Sequence, residues 1–349
     1  MNDPLALARP EILALTPYSH ASWDPRLERL HANESPWRVP GDDSGAGLNR
    51  YPEPQPAQLV SALASLYGVA PSQLLVGRGS DEAIDLLTRA FCAAGRDAVL
   101  VCPPTFGMYA VAARIQGATV VAVPLRRDDG YSLDVAALEA ALSPAVKLVY
   151  LCTPNNPTGN EIPEAQVLRV LRACEGRALV VVDEAYGEFA AHPGYAARLA
   201  AQPHLVVLKT LSKAHGLAGA RVGSLLASPA IVALLRKIIP PYAMAQPTVE
   251  AALKALQPAA QAVARSRVAA TLVERERLAV GLAALPAVRR VWPSAANFLL
   301  VEFRDSGAAL RDIAAAGLLV RDFSGQIGGA LRLTVGTPEQ NERLLRSLA

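Results

Sequence analysis

Leu205-Val206-Val207-Leu208-Lys209-Thr210-Leu211-Ser212-Lys213-Ala214 runs an apolar stretch into a polar segment that carries a lysine, and Arg221 follows eight positions after that lysine. Four consecutive apolar residues without polar alternation suit a strand covered on both faces, as in a parallel sheet with helices on each side. The lysine stands out because the chain uses so few: lysine occurs only at 147, 209, 213, 237 and 254, and arginine supplies the rest of the 34 basic residues. Arginine stays protonated. Lysine can lose its proton and condense with an aldehyde to a Schiff base.

Working outward, similar apolar runs recur at Ala98–Cys102, Thr119–Val123, Val146–Cys152 and Ala178–Val182, with helical patterns at Leu133–Leu142 and Pro163–Cys174 between them. Alternating strands and helices predict an α/β fold with a mainly parallel sheet flanked by helices. Beyond Pro240-Pro241, an Ala- and Arg-rich stretch from about Thr248 to Leu285, interrupted near Pro258, reads as one long helix or two joined ones. Short strands follow at Phe298–Phe303, Leu318–Arg321 and Leu331–Val335, a smaller α+β unit. The expected division is an N-terminal arm over residues 1–45 that contributes to the small domain, a large domain over 46–245, and the linking helix with the small domain over 246–349.

The 349 residues are too many for one small core, and 52% are hydrophobic, so extensive burial is expected. A net charge of +3 with interspersed signs carries no nucleic-acid or membrane-surface footprint. Cys92, Cys102, Cys152 and Cys174 are widely spaced without a CxxC pair, and the five histidines lack metal-ligand spacing. The start Met1-Asn2-Asp3-Pro4 lacks a basic, apolar leader, and no apolar run reaches spanning length, so a cytoplasmic protein is expected.

In open parallel sheets ligands gather beyond the carboxyl ends of the strands. Here those positions are polar. Thr153-Pro154-Asn155-Asn156-Pro157-Thr158-Gly159, Asp183-Glu184-Ala185-Tyr186 and the Ser212-Lys213 segment end three consecutive runs. The set meets the demands of pyridoxal 5'-phosphate. Asp183 would keep a pyridine nitrogen protonated, Asn156 and Tyr186 would donate to the ring's phenolate oxygen, and Phe106 would stack on the ring. Ser80, Asp81 and Glu82 precede an apolar helix, Ala83–Ala94, whose N-terminal amides would receive the phosphate together with Ser212 and Arg221.

These motifs resemble the fold-type I pyridoxal-phosphate aminotransferases. Thr-Leu-Ser-Lys-Ala with Gly219 and Arg221 is similar to the class II lysine signature, and the nearest resemblance is to the histidinol-phosphate aminotransferase family. Supporting segments are Leu15-Thr16-Pro17-Tyr18, Ala32-Asn33-Glu34, Asn49-Arg50-Tyr51-Pro52, Gly79-Ser80-Asp81-Glu82 and Leu331-Arg332-Leu333-Thr334-Val335-Gly336. The resemblance implies that Lys213 holds the cofactor as a Schiff base and moves the proton between the substrate's Cα and the cofactor's C4′. It implies a homodimer in which Tyr51 reaches the neighbouring subunit's phosphate. Arg332 would bind the donor's carboxylate, and Tyr18, Asn33 and Arg321 the rest of the substrate, with Tyr18 and Arg321 at its phosphate end. The implied substrates are L-glutamate with 2-oxoglutarate and L-histidinol phosphate with imidazole-acetol phosphate, in histidine biosynthesis. Rival readings are an aromatic amino acid aminotransferase, a lyase resembling threonine-phosphate decarboxylase, and a regulator that binds the cofactor without turnover. Two departures from the family pattern are Phe106, where tyrosine is frequent, and His215 two past the lysine, where an apolar residue is common.

Overall fold

In the computed structural model, residues 3–19, 24 and 26–349 are described. Seven strands form the larger sheet: β1 (Leu74–Gly77), β2 (Ala98–Val101), β3 (Thr119–Ala122), β4 (Val146–Cys152), β5 (Leu179–Asp183), β6 (Leu205–Thr210) and β7 (Gly223–Leu226). Their spatial order is β1-β7-β6-β5-β4-β2-β3, and only β7 runs against the rest. The continuous apolar runs have their reason in the two cores. Val180, Val182, Leu205 and Val207 face one cluster, whereas Leu179, Val181, Val206 and Leu208 face the other. Because side chains alternate across a strand, a sheet packed on both faces needs an apolar residue at every position.

The smaller sheet comprises β8 (Val288–Val291), β9 (Phe298–Phe303), β10 (Arg321–Asp322) and β11 (Ala330–Thr334), all antiparallel in the order β10-β11-β9-β8. Helices Ser306–Ala315 and Pro338–Ser347 and the end of helix Pro258–Ala283 close its core through Ile313, Leu344, Leu278 and Leu282. Arg127 and Trp292 both donate to Oε1 of the buried Glu302, at 2.7 and 2.8 Å, and Ala295 N–H donates to the Gly159 carbonyl at 2.7 Å. The Arg127–Glu302 and Ala295–Gly159 bonds seat the small sheet against the polar ends of the large one, and the Trp292 bond holds Glu302 within the small unit. Among the described residues no helix is long and apolar enough to cross a membrane.

Of the two readings of the Thr248–Leu285 stretch, the structure has two joined helices, Gln246–Ala255 and Pro258–Ala283, because Pro258 has no N–H to continue the first and starts the second instead. Two expectations change. The strand expected over Leu318–Arg321 is only the Arg321–Asp322 pair on the sheet edge, with Leu319 fully exposed before it. The arm does not pack on the small domain at its start. The short helices Pro4–Leu7 and Pro10–Leu13 lay Leu5, Leu7, Ala8 and Ile12 on the large-domain core, and Arg9 N–H donates to the Ala90 carbonyl at 3.0 Å.

Candidate active site

Five strand ends of the large sheet converge on one cleft. It is lined by Ser80 and Asp81 after β1, Phe106 after β2, Asn156 after β4, Asp183 and Tyr186 from the end of β5, and Ser212 and Lys213 after β6, with Arg221 just before β7. The turn after β4 divides its labour. Asn155 builds the loop, bonding the Pro104 carbonyl at 2.8 Å, Thr158 at 2.6 Å and Thr105 at 2.8 Å, which leaves Asn156 to face the cleft.

Asp183 is 2% exposed. Burial pushes its carboxyl up to about 6, against two hydrogen bonds that favour the charged form: Tyr109 Oη donates to Oδ2 at 2.7 Å, and the Ala185 N–H donates to Oδ1 at 3.0 Å. A carboxylate so placed gains most from a cation brought beside it. Tyr186 is nearly buried, and burial raises its phenol, so it stays a neutral donor.

Lys213 remains open to the cleft, with Nζ 5.7 Å from the centre of the Tyr186 ring. Burial, with the guanidinium groups of Arg332 and Arg221, lowers its pKa and so enlarges the neutral, nucleophilic fraction. Its loop is pinned by Thr210, whose Oγ1 donates to the Val222 carbonyl at 3.1 Å and accepts from the Ser212 N–H at 3.1 Å.

At the other end of the cleft, helix Ser80–Phe91 begins after Gly79 (φ +91°), and its N-cap has no side-chain bond. Its first-turn amides and dipole therefore suit an anion. Arg221, itself left-handed at φ 55°, donates to Asp81 at 3.1 Å. The approach of β7 to this turn is close. A Cβ on Gly223 would lie 2.3 Å from the Gly79 carbonyl carbon and 2.4 Å from Ser80 N, and neither backbone atom can yield as a flexible side chain does. We therefore expect Gly223→Ala to destabilise the fold by about 2–3 kcal/mol, read as a lower midpoint in urea unfolding, and to weaken anion binding in the same cleft. An unchanged midpoint would mean that this approach is not needed.

Arg332, on β11, donates to Asn156 Oδ1 and sits over Phe298 and Phe323, with its guanidinium carbon 5.3 and 5.5 Å from their ring centres. Its neighbour across the strand pair is Arg321, exposed and 6.0 Å from the Phe323 ring. The remaining sequence candidates lie elsewhere. Glu82 turns back onto Arg78, accepting from its N–H at 2.7 Å and pairing with its guanidinium, so it holds the turn and does not line the cleft. Tyr51 stacks on Tyr242 at 4.5 Å and borders a separate hollow with Asn33, and Tyr18, 71% exposed, borders another. Tyr109 and Gly223 had no sequence signal as site residues. What makes them matter is that β5 lies two strands from β2 and that β7 lies beside β1, which is sheet order and not local pattern.

Comparison with known proteins gives the chain's family and fold. The model of the family described as "Aminotransferase class I and II" matches residues 30–348. The histidinol-phosphate aminotransferase of Stenotrophomonas maltophilia (strain R551-3) is 51% identical over 100% of this chain and 97% of its own length. That of Xylella fastidiosa (strain 9a5c) is 55% identical over 91% of this chain and 88% of its own. A solved histidinol-phosphate aminotransferase from Sinorhizobium meliloti, in complex with pyridoxal-5'-phosphate, superposes with a TM-score of 0.77 at 27% identity, covering 86% of this chain and 82% of that one. L-threonine-O-3-phosphate decarboxylase from Porphyromonas gingivalis, at 24% identity and a TM-score of 0.74, shares the fold. With its family model spanning nearly the whole chain and relatives above half identical, this protein belongs to the class I and II aminotransferases.

Proposed function

We propose that the chain is a pyridoxal-phosphate-dependent transaminase that moves an amino group from L-glutamate to imidazole-acetol phosphate, giving 2-oxoglutarate and L-histidinol phosphate in histidine biosynthesis. The observation that carries it is the meeting of Lys213, Asp183 and Arg332 around one cleft, in a chain about half identical to proteins named for that activity.

The residues present fit the cofactor. A buried carboxylate seeks a cationic partner, two glycines keep a helix N-terminus clear, and an amine of lowered pKa stands between them. Bound pyridoxal phosphate supplies an electron sink for the charge left on the substrate's Cα and a store for the amino group between half-reactions. The chain does the rest. Asp183 holds the ring nitrogen protonated, Asn156 and Tyr186 donate to the ring oxygen, and Phe106 covers the ring face. Ser80 and Asp81, through the first-turn amides of their helix, receive the phosphate together with Ser212 and Arg221. Lys213 Nζ takes the proton from Cα and returns it, a role that needs an amine free to cycle between charged and neutral forms. Arg332 offers a planar fork to the donor's carboxylate, and Arg321 lies one strand away for a second anionic group.

Tyr51, Tyr18 and Asn33 lie outside the chain's own cleft, Tyr51 and Asn33 in a hollow with Leu48, and Tyr18 in another, and the same N-terminal region exposes Leu27, Leu30 and Trp37. Exposed apolar side chains there support a homodimer in which Tyr51 reaches the partner's cleft, and the family's biosynthetic role is in keeping with a cytoplasmic protein. The test is a set of half-reactions followed in the cofactor spectrum with L-glutamate, L-histidinol phosphate, L-phenylalanine and O-phospho-L-threonine. The first two should convert the cofactor fastest, and full turnover should give parallel double-reciprocal lines. Intersecting lines, preferred conversion of phenylalanine, or release of carbon dioxide from O-phosphothreonine would overturn the assignment.

A further inference from the structure

We propose that Tyr109 is a positioning residue of this site: its hydroxyl anchors the Asp183 carboxylate in one orientation and favours its ionised form against the apolar surroundings. The inference deepens the function proposed above and rests on it. Tyr109 opens the helix Met108–Gln116 after β2 and is fully buried, and its Oη reaches Asp183 Oδ2 at 2.7 Å across β4. Its ring is clamped. Tyr150 of β4 stacks on it at 4.4 Å and 10°, and Phe106 meets it edge-on at 5.6 Å and 82°. A hydroxyl fixed in this way donates without first losing conformational freedom, and a bond to a charged acceptor is the stronger kind.

The groups around Asp183 mostly oppose its charge. Asp81 and Glu184 repel it, and the neighbouring Cys152 thiol and the Tyr150 and Tyr186 phenols are all held neutral by burial. Lys213 is the nearby cation, and it too is partly desolvated. Among the described residues only Tyr109 and the Ala185 N–H donate to the carboxylate. With the hydroxyl gone, one side of a buried carboxylate loses its donor, and the protonated acid gains.

The experiment is Tyr109→Phe, which preserves the ring stack, with Tyr150→Phe as control because the Tyr150 hydroxyl points to the Ile84 carbonyl instead. In full-length apoprotein labelled at the aspartate carboxyl carbon, the Asp183 resonance, identified by its loss in D183N, is titrated by NMR. Y109F should raise its midpoint by about one unit, a tenfold change in proton affinity, and Y150F should leave it in place. Pyridoxal phosphate affinity is then measured against pH. The ratio of dissociation constants, Y109F over wild type, should climb toward about tenfold near pH 5 and fall back to about one at alkaline pH. An unmoved midpoint, or an affinity loss independent of pH, would overturn the proposal. Wild-type protein that binds no pyridoxal phosphate would instead sink the assigned function, and the carboxyl titration would still read Tyr109's effect.

Discussion

Lys213→Ala is expected to abolish turnover, with kcat falling by at least about 10⁴-fold, because under the proposed function one change removes both the amine that would hold the cofactor and the base that would move the Cα proton. Lys213→Arg should be equally inactive. It keeps a positive charge in the cleft but has no amine that can lose a proton, which separates covalent chemistry from mere electrostatics. Lys209 cannot substitute. It lies four residues earlier on β6, and although burial lowers its pKa, the Glu184 carboxylate at 2.9 Å and that of Glu188 at 3.4 Å raise it on balance and hold the ammonium in place. Its surroundings are those of a structural ion pair, whereas Lys213 has Arg332 and Arg221 working in the other direction. Borohydride reduction of the pyridoxal-phosphate-loaded protein, followed by peptide mass spectrometry, should place the label on Lys213. A label on Lys209, or activity retained by K213R, would refute this division of roles.

The contrast between these two lysines shows where sequence reading stops. Val206-Val207-Leu208 announces a strand, and the polar residues after each such run announce a ligand edge, since both follow from local pattern and the rule for parallel sheets. The segments of β4, β5 and β6 were therefore legible, as was the helix expected over Ala83–Ala94, which the structure starts three residues earlier, at Ser80. Strands β1 and β7 were not, because β1 ends in glycine after three apolar residues and β7 begins Gly-Ser, so neither shows the longer continuous apolar run that marks β2 and β3. Their adjacency is what demands glycine at 223. Glu82 was misread for the opposite reason. Its place in Gly-Ser-Asp-Glu suggested an anion site, but a carboxylate beside Arg78 satisfies itself locally. Tyr109 was invisible because its partner is 74 residues away, on a strand whose neighbours the sequence does not state.

Asp183→Asn should make the protein less active and, without cofactor, more stable. The carboxyl sits at about 6 in the folded chain against 3.8 as the ordinary value, so between these limits the folded state binds the proton more tightly than the unfolded state. Stability contributed by this group is therefore fully present below about pH 4 and is lost as pH rises through 6, a cost of about 3 kcal/mol for roughly two units. Asparagine carries no charge to bury. The Tyr109 hydroxyl can rotate to accept from its amide if that group faces the phenol, so the hydrogen bond survives the exchange. The apo variant should unfold at higher temperature than wild type at pH 8, and the gap should close near pH 4. In the loaded enzyme the balance reverses, because the ring nitrogen loses the anion that keeps it protonated, and kcat should fall by about 10³-fold. A gain in stability paired with a loss in rate marks a group held in an unfavourable state for the sake of chemistry. If D183N melted lower than wild type at pH 8, the buried carboxylate would be a stabilising element of the fold, and its raised proton affinity would not belong to the site.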